Sequence, residues 1–424
     1  MSEFAYTNGI LHAEGNSLEA LAHSIRTPFY CYSTAALKYN FQAFENAFSQ
    51  RNSLVCFAVK ANPNLAVINT LSSLGAGADV VSEGELRRAL VAGVPAEKIV
   101  FSGVGKTREE LRYALDKRIL QINVESLSEL KLLSEIACQH GVEAEIAVRV
   151  NPDVDAVTHE KITTGRQENK FGIDISAAES IYEYASSLPG VRPTAVAMHI
   201  GSQLVDLDPF RTAFKRLREL VTALGSAGHQ IRRIDLGGGL GIAYDRESNE
   251  VPGPDLYAQV VNEVLGDIDC TLMFEPGRAL AGNAGVLVTK VIYVKKGEGR
   301  NFIIVDAAMN DLIRPALYDA QHDIQPVRMP LKDACTNLFD IVGPVCETGD
   351  TFARQIAMPD ILEGDYLAIN EAGAYGASMS SSYNSRCLVP EILVRGSDFS
   401  IVRKRPSYEE MFSLEQFADW QDQC

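Results

Sequence analysis

Between residues 54 and 275, eight short apolar runs recur with amphipathic helical stretches between them, the pattern of βα units laid around a parallel sheet. The runs are 54–60, 78–82, 99–102, 120–124, 145–150, 195–200, 233–236 and 271–275. Eight such units predict a closed (β/α)8 barrel of the TIM type, with its functional groups at the C-terminal ends of the strands. A doubly wound open sheet is the alternative that counting leaves open. Several helices announce their starts. Ser82-x-x-Glu85, Thr107-x-x-Glu110 and Ser126-x-x-Glu129 predict capping boxes, and Asp208-Pro209 predicts an N-cap followed by proline at the first helical position. Leu111, Ala114 and Leu115, and then Leu127, Leu130, Leu133 and Ile136, fall at the spacing of buried helix faces.

Beyond Arg278 the texture changes to β-rich segments at 286–295, 302–305, 339–342, 366–369 and 388–394, which predict a separate β domain of sandwich or Greek-key type. Strand-like pieces at 4–6 and 29–32, parted by Asn8-Gly9, predict that the N-terminal arm completes it. The expected division is therefore an arm at 1–33, a barrel at 34–280 and a β domain at 281–424, in line with a length too great for one core. Residues 151–172 form a long polar insertion after the fifth strand, a candidate active-site loop.

Charge and cysteine usage narrow the function. A net charge of −16, from 39 basic and 55 acidic residues, repels polyanions and argues against nucleic acid as a partner. No apolar run is long enough for a membrane span, and the N-terminus lacks the basic and apolar stretches of a secretion signal. Eight cysteines (Cys31, Cys56, Cys138, Cys270, Cys335, Cys346, Cys387 and Cys424) include no C-x-x-C pair, and the seven histidines show no ligand spacing. Reduced thiols, no bound metal and a cytoplasmic location are expected.

The residues ending the predicted strands form a chemically unusual set. Lys60 closes the first apolar run, so its amine is delivered into the barrel mouth, where a desolvated amine can attack a carbonyl. Gly237, Gly238 and Gly239 follow the seventh, where barrels commonly hold a phosphate on backbone N–H groups. A dinucleotide fold is disfavoured because residues 257–262, twenty further on, carry no acidic ribose ligand. Glu275 ends the eighth, where a carboxylate facing a pyridine nitrogen would keep it protonated. His199 ends the sixth, from which it could stack on a ring, with Ser202 reaching a phosphate. Each also has an ordinary reading: a snorkelling or ion-paired lysine, a tight turn, an ion pair between Glu275 and Arg278, a buried histidine.

Four motifs, Ala58-Val59-Lys60-Ala61-Asn62, His199-Ile200-Gly201-Ser202-Gln203, the glycine run 237–241 and Glu275-Pro276-Gly277-Arg278, resemble those of the fold-type III pyridoxal-phosphate decarboxylases in order and spacing. The likeness runs from Thr27-Pro28-Phe29 through Val342-Gly343-Pro344-Val345-Cys346-Glu347-Thr348 to Gly373-Ala374-Tyr375-Gly376. Asn310-Asp311-Leu312-Ile313-Arg314-Pro315-Ala316-Leu317-Tyr318 resembles the segment of the diaminopimelate-specific branch that holds a distal carboxylate. Thr348 departs from the serine more usual in the family, without touching an essential group.

The resemblance implies pyridoxal 5'-phosphate carried on Lys60 and bound by His199, Ser202, Gly237, Gly238, Gly239, Glu275, Gly277, Arg278 and Tyr375. It implies a substrate bound by Arg278, Arg314, Tyr318, Glu347 and Tyr375, and a homodimer in which Cys346, as acid, and Glu347 reach the partner's active site. The expected reaction is decarboxylation of meso-2,6-diaminopimelate to L-lysine, the last step of lysine biosynthesis. Two guanidinium groups, Arg278 and Arg314, suit a substrate with a carboxylate at each end. The rivals are a polyamine-pathway decarboxylase acting on ornithine, arginine or carboxynorspermidine, and a catalytically dead protein that binds a decarboxylase. Lys60 and Cys346 have no use in the latter.

Overall fold

The computed structural model describes residues 3–155, 170–244, 251–331 and 335–421. Most of the predicted polar insertion (156–169) and Cys424 lie outside the described residues. The chain divides into two compact units, Ala36–Asn283 and Met1–Ala35 with Ala284–Cys424.

In the first unit all eight runs become strands: β1 (Ser53–Ala58), β2 (Gly77–Val80), β3 (Ile99–Phe101), β4 (Gln121–Val124), β5 (Ala144–Asn151), β6 (Val191–Met198), β7 (Arg233–Asp235) and β8 (Thr271–Phe274). Each pairs parallel with the next, and β8 pairs back to β1, so the sheet closes and the open-sheet alternative is excluded. Interior side chains stack in layers. Cys56, Val100 and Met273 fill one layer, with Leu54 and Leu120 against it. Ala147, Ala195 and Ala197 form a second, smaller cluster. Ala147 lies opposite Asn123 and Ala197 opposite Arg149, so short side chains leave volume for long polar ones beside them.

The helix starts differ from expectation in detail. Thr107 and Glu110 make a full capping box. Ser82 and Ser126 accept the N–H groups of Glu85 and Glu129, but those two carboxylates turn to the N–H groups of Val81 and Glu125 instead of closing the box. Asp208 is not the cap. The helix Asp208–Ser226 begins with it, and Asp206 accepts its N–H. Leu130, Leu133 and Ile136 are buried, whereas Leu127 faces solvent.

The second unit is built on a mixed sheet in the order Thr351–Pro359, Thr336–Val342, Asn301–Val305, Gly285–Lys296, Phe29–Ser33, Glu391–Arg395, Asp398–Arg403. Phe29–Ser33, from the N-terminal arm, lies between Gly285–Lys296 and Glu391–Arg395. Leu11, Leu18, Phe29, Val286, Val288, Val327, Ile392 and Val394 belong to its core, each fully buried side chain of this size contributing about 1.5–3 kcal/mol.

Candidate active site

β1 stops at Ala58, two residues short of expectation, and Lys60 sits in a single 3-10 turn, Val59–Ala61. Ala58 is the register partner of Asp79 on β2. The Lys60 Nζ reaches Asp79 Oδ2 at 2.7 Å, so the amine is ion-paired, the ordinary reading of a strand-end lysine, rather than simply desolvated. Asp79 is fully buried, and its Oδ1 has no hydrogen-bond partner among the described residues. Gly277 lets the loop after β8 pack on this turn, because a Cβ there would meet the Ala61 Cβ at 2.8 Å.

The glycine run joins the neighbouring loops at close range. Gly237 and Gly239 have left-handed φ values of +66° and +110°, and a Cβ on either would come within 2.6 Å of a carbonyl oxygen, that of Met198 or Gly201. The Gly238 N–H donates to Nδ1 of the half-buried His199 at 3.2 Å. Burial, and then the positive charges of Arg149 and Lys60, hold this imidazole well below its usual pKa. With Nδ1 accepting, a neutral ring carries its proton on Nε2. Arg278, buried at the start of a one-turn helix, donates to Ser202 Oγ at 3.2 Å and to the hydroxyl of Tyr244.

Glu275 accepts from Ser102 Oγ at 3.3 Å and, more weakly, from Asn123 Nδ2 at 3.5 Å. Burial raises its pKa well above the carboxylate range; Asp235 and Asp79 raise it further, and Lys60 opposes them. On balance these effects favour its proton-bearing form.

These groups suit a phosphorylated pyridine aldehyde. A proton-bearing carboxyl answers a basic ring nitrogen, an amine answers the aldehyde, a neutral imidazole offers a flat face, and the buried Asp79 oxygen without a donor fits a site awaiting a polar guest.

In the second unit, Arg314 opens the helix Arg314–Tyr318, and its Nη1 lies 2.7 Å from Nε2 of His322. The other ring nitrogen of His322 is 2.8 Å from the Asn370 carbonyl, which fixes the proton there and leaves Nε2 to accept. Tyr318 is half-buried, as is Tyr375, which adopts a left-handed φ of +57°. Cys346 and Glu347 are exposed on a loop pinned at its base by Asp350, whose carboxylate accepts the N–H groups of Val345 and Met309, each at 2.7 Å. Glu347 accepts from the Tyr383 hydroxyl at 3.2 Å.

Within the barrel unit, then, His199, Gly237–Gly239 and Glu275 are joined by short backbone and side-chain contacts, Gly277 packs on the turn that carries Lys60, and Arg278 bonds Ser202. Arg314, Tyr318, Cys346, Glu347 and Tyr375 belong to the other unit. Sequence reasoning missed Asp79, Arg149, Asp235, Tyr244 and His322. The first, second and third carry a usable signal, a charge flanked by apolar residues within a strand (Ala-Asp-Val, Val-Arg-Val, Ile-Asp-Leu), which marks an inward polar position. Tyr244 and His322 carry none.

A closed barrel with this set of groups at its mouth defines a pyridoxal-dependent enzyme of the barrel class. The family model described as "Pyridoxal-dependent decarboxylase, pyridoxal binding domain" matches residues 34–282. The chain is 48% identical to the diaminopimelate decarboxylase of Zymomonas mobilis over 99% of its own length and 100% of that protein. Its structure superposes on diaminopimelate decarboxylase from M. jannaschii, solved in co-complex with L-lysine, with a TM-score of 0.93, 35% identity and 98% of each chain covered. The enzyme from Helicobacter pylori complexed with L-lysine gives 0.89 and 41%, covering 93% of this chain and 98% of that one. The chain belongs to the pyridoxal-dependent decarboxylase family and, within it, to the diaminopimelate decarboxylases. Among the described residues no helix is long and apolar enough to cross a membrane.

Proposed function

We propose that this protein decarboxylates the D-configured centre of meso-2,6-diaminopimelate, giving L-lysine and CO2, with pyridoxal 5'-phosphate held on Lys60. The observation that carries the choice of substrate is likeness over nearly the full length to diaminopimelate decarboxylases, two of them solved with L-lysine, the product of this reaction. A polyamine-pathway substrate would leave the buried Arg314 guanidinium with no carboxylate to meet.

The bound cofactor supplies an electron sink for the pair left when the C–C bond to the carboxylate breaks. The chain does the rest. Asp79 orients the Lys60 amine, His199 offers its neutral ring as a flat wall, and the N–H groups of the loops after β7 and β8 receive the phosphate with Ser202. Glu275 holds a proton for the ring nitrogen. Arg278 takes the reacting carboxyl end and Arg314, steadied by His322, the distal carboxylate, with Tyr318 and Tyr375 adding hydroxyl donors.

The acid is Cys346, which delivers a proton from Sγ to the carbon that has lost CO2, while Glu347 binds the distal ammonium. Both act across a homodimer interface, a reading supported by their exposure on a pinned loop, where neither group is buried against its own unit. Mixing Lys60→Ala with Cys346→Ala protein tests this: activity returns in hybrid dimers, to about a quarter of wild type for random exchange, if the sites are shared. None returns if each chain works alone. The seven described cysteines form no disulfide, which supports a reducing, cytoplasmic setting.

Substrate carrying a carbon label only in the carboxyl of the D centre tests the reaction itself. The label should leave as CO2 and the lysine formed should be unlabelled; label retained in lysine would overturn the assignment.

A further inference from the structure

We propose that Asp235, a residue outside the predicted site, is a positioning residue that shares one proton with Glu275, and that this two-carboxyl unit is the source of the proton placed on the cofactor's ring nitrogen. The second half rests on the function proposed above.

β7 and β8 are neighbours, with Asp235 opposite Met273, and Glu275 lies two residues beyond Met273 on the same inward face. Asp235 is fully buried and Glu275 nearly so. Asn123 Nδ2 lies 3.2 Å from Asp235 Oδ2 and 3.5 Å from Glu275 Oε1, so one amide nitrogen faces both carboxyl groups. Two buried carboxylates facing one amide nitrogen repel each other in low dielectric, which favours a pair that keeps one proton.

The donors around the pair decide which carboxyl keeps it. Asp235 accepts the Gly237 N–H at 3.0 Å and Asn123 Nδ2 at 3.2 Å. Asn123 cannot turn its oxygen toward Asp235 without losing Gln121 Nε2, which donates to Oδ1 at 2.8 Å. Glu275 has only the longer contacts from Ser102 and the shared Asn123. The better-solvated charge is thus on Asp235 and the proton on Glu275.

The other charged or titratable groups facing the pair do not undo this. Asp79 on β2 adds repulsion but is matched by Lys60, Cys56 on β1 is held neutral chiefly by burial, and Arg149 on β5 is committed to Glu125 at 2.9 Å. Proton and charge then balance without solvent. The Glu275 carboxyl would supply the proton for the ring nitrogen of bound pyridoxal phosphate, and Asp235, which keeps its negative charge throughout, would help to hold the positive charge there.

Infrared difference spectra of the full-length chain, before and after loading with pyridoxal phosphate, test the proposal. Before loading, at neutral pH, wild type minus Glu275→Gln should show the carbonyl band of a protonated carboxyl. Asp235→Asn removes the like charge, so its band should disappear on titration at a pH at least about one unit lower than in wild type. Loading wild type should abolish the band. Absence of the band in unloaded wild type, an unchanged midpoint in Asp235→Asn, or a band that survives loading would each overturn the shared proton or its destination. If Asp235→Asn does not fold, the Glu275→Gln difference and the loading experiment still decide. Wild type that shows the band but binds no pyridoxal phosphate would sustain the pair while sinking the cofactor assignment.

Discussion

In the barrel, Lys60 pairs with Asp79, and the buried Asp235 and Glu275 take their donors from Asn123, Ser102 and the Gly237 N–H of the same unit. In the β unit, Cys346 and Glu347 stand exposed on a loop whose anchors are backbone N–H bonds to Asp350. The first arrangement is expensive to assemble in low dielectric and is supported by a scaffold of amides, hydroxyls and glycine turns. The second costs little in the isolated fold. Damage to the barrel cluster should therefore affect stability and chemistry together, whereas damage to the loop should affect chemistry alone.

The contrast breaks most readily at Lys60. Lys60→Ala should lower turnover of diaminopimelate by at least about a thousandfold, measured as CO2 release. Borohydride reduction of the loaded wild type should place the cofactor's mass on the Lys60 peptide, and a label on another lysine would overturn the assignment. Next comes the fully buried pair Lys106–Glu129, 2.7 Å apart behind the mouth. Lys106→Ala leaves a buried carboxylate alone and should cost about 3–5 kcal/mol in urea unfolding, with Lys106→Met/Glu129→Leu recovering most of it.

Cys346→Ala sharpens the other side. It should lower kcat by about a hundredfold while unfolding free energy stays within roughly 0.5 kcal/mol of wild type. A large stability loss would show that the loop is structural and spoil the comparison. Arg314→Ala should cost about 2 kcal/mol of transition-state binding, near thirtyfold in kcat/KM for diaminopimelate. An equal loss with a monocarboxylate amine would argue against a distal-carboxylate role. The smallest effect is expected remote from the site. Thr107→Ala removes half of the capping box and should lower stability by about 1 kcal/mol with turnover unchanged.

The barrel was legible because its strands are short, mostly apolar runs whose number favours closure, which the pairing of β8 with β1 then settles. The β unit was less so. Asp398–Arg403 is a largely exposed edge strand, and Thr351–Pro359, at the opposite edge, buries only Phe352 and Met358, so both carry weak alternation. At the site, Lys60, Glu275 and the glycines stood out by position at strand ends. Their partners did not, because Asp79, Asn123 and Asp235 act across the barrel interior, and the bond from Ser102 to Glu275 spans 173 residues of sequence. Periodicity marks such residues as inward-facing without saying whom they meet. The turn that carries Lys60 was read as strand because Val59 and Ala61 are as apolar as the run they follow.

The central claim is tested most directly by incubating the cofactor-loaded protein separately with meso-diaminopimelate, ornithine and arginine, and quantifying CO2 and the amine product in each. The account predicts L-lysine and equimolar CO2 from diaminopimelate alone. Release of CO2 only from ornithine or arginine would contradict it, keeping the cofactor chemistry but removing the reason given for Arg314.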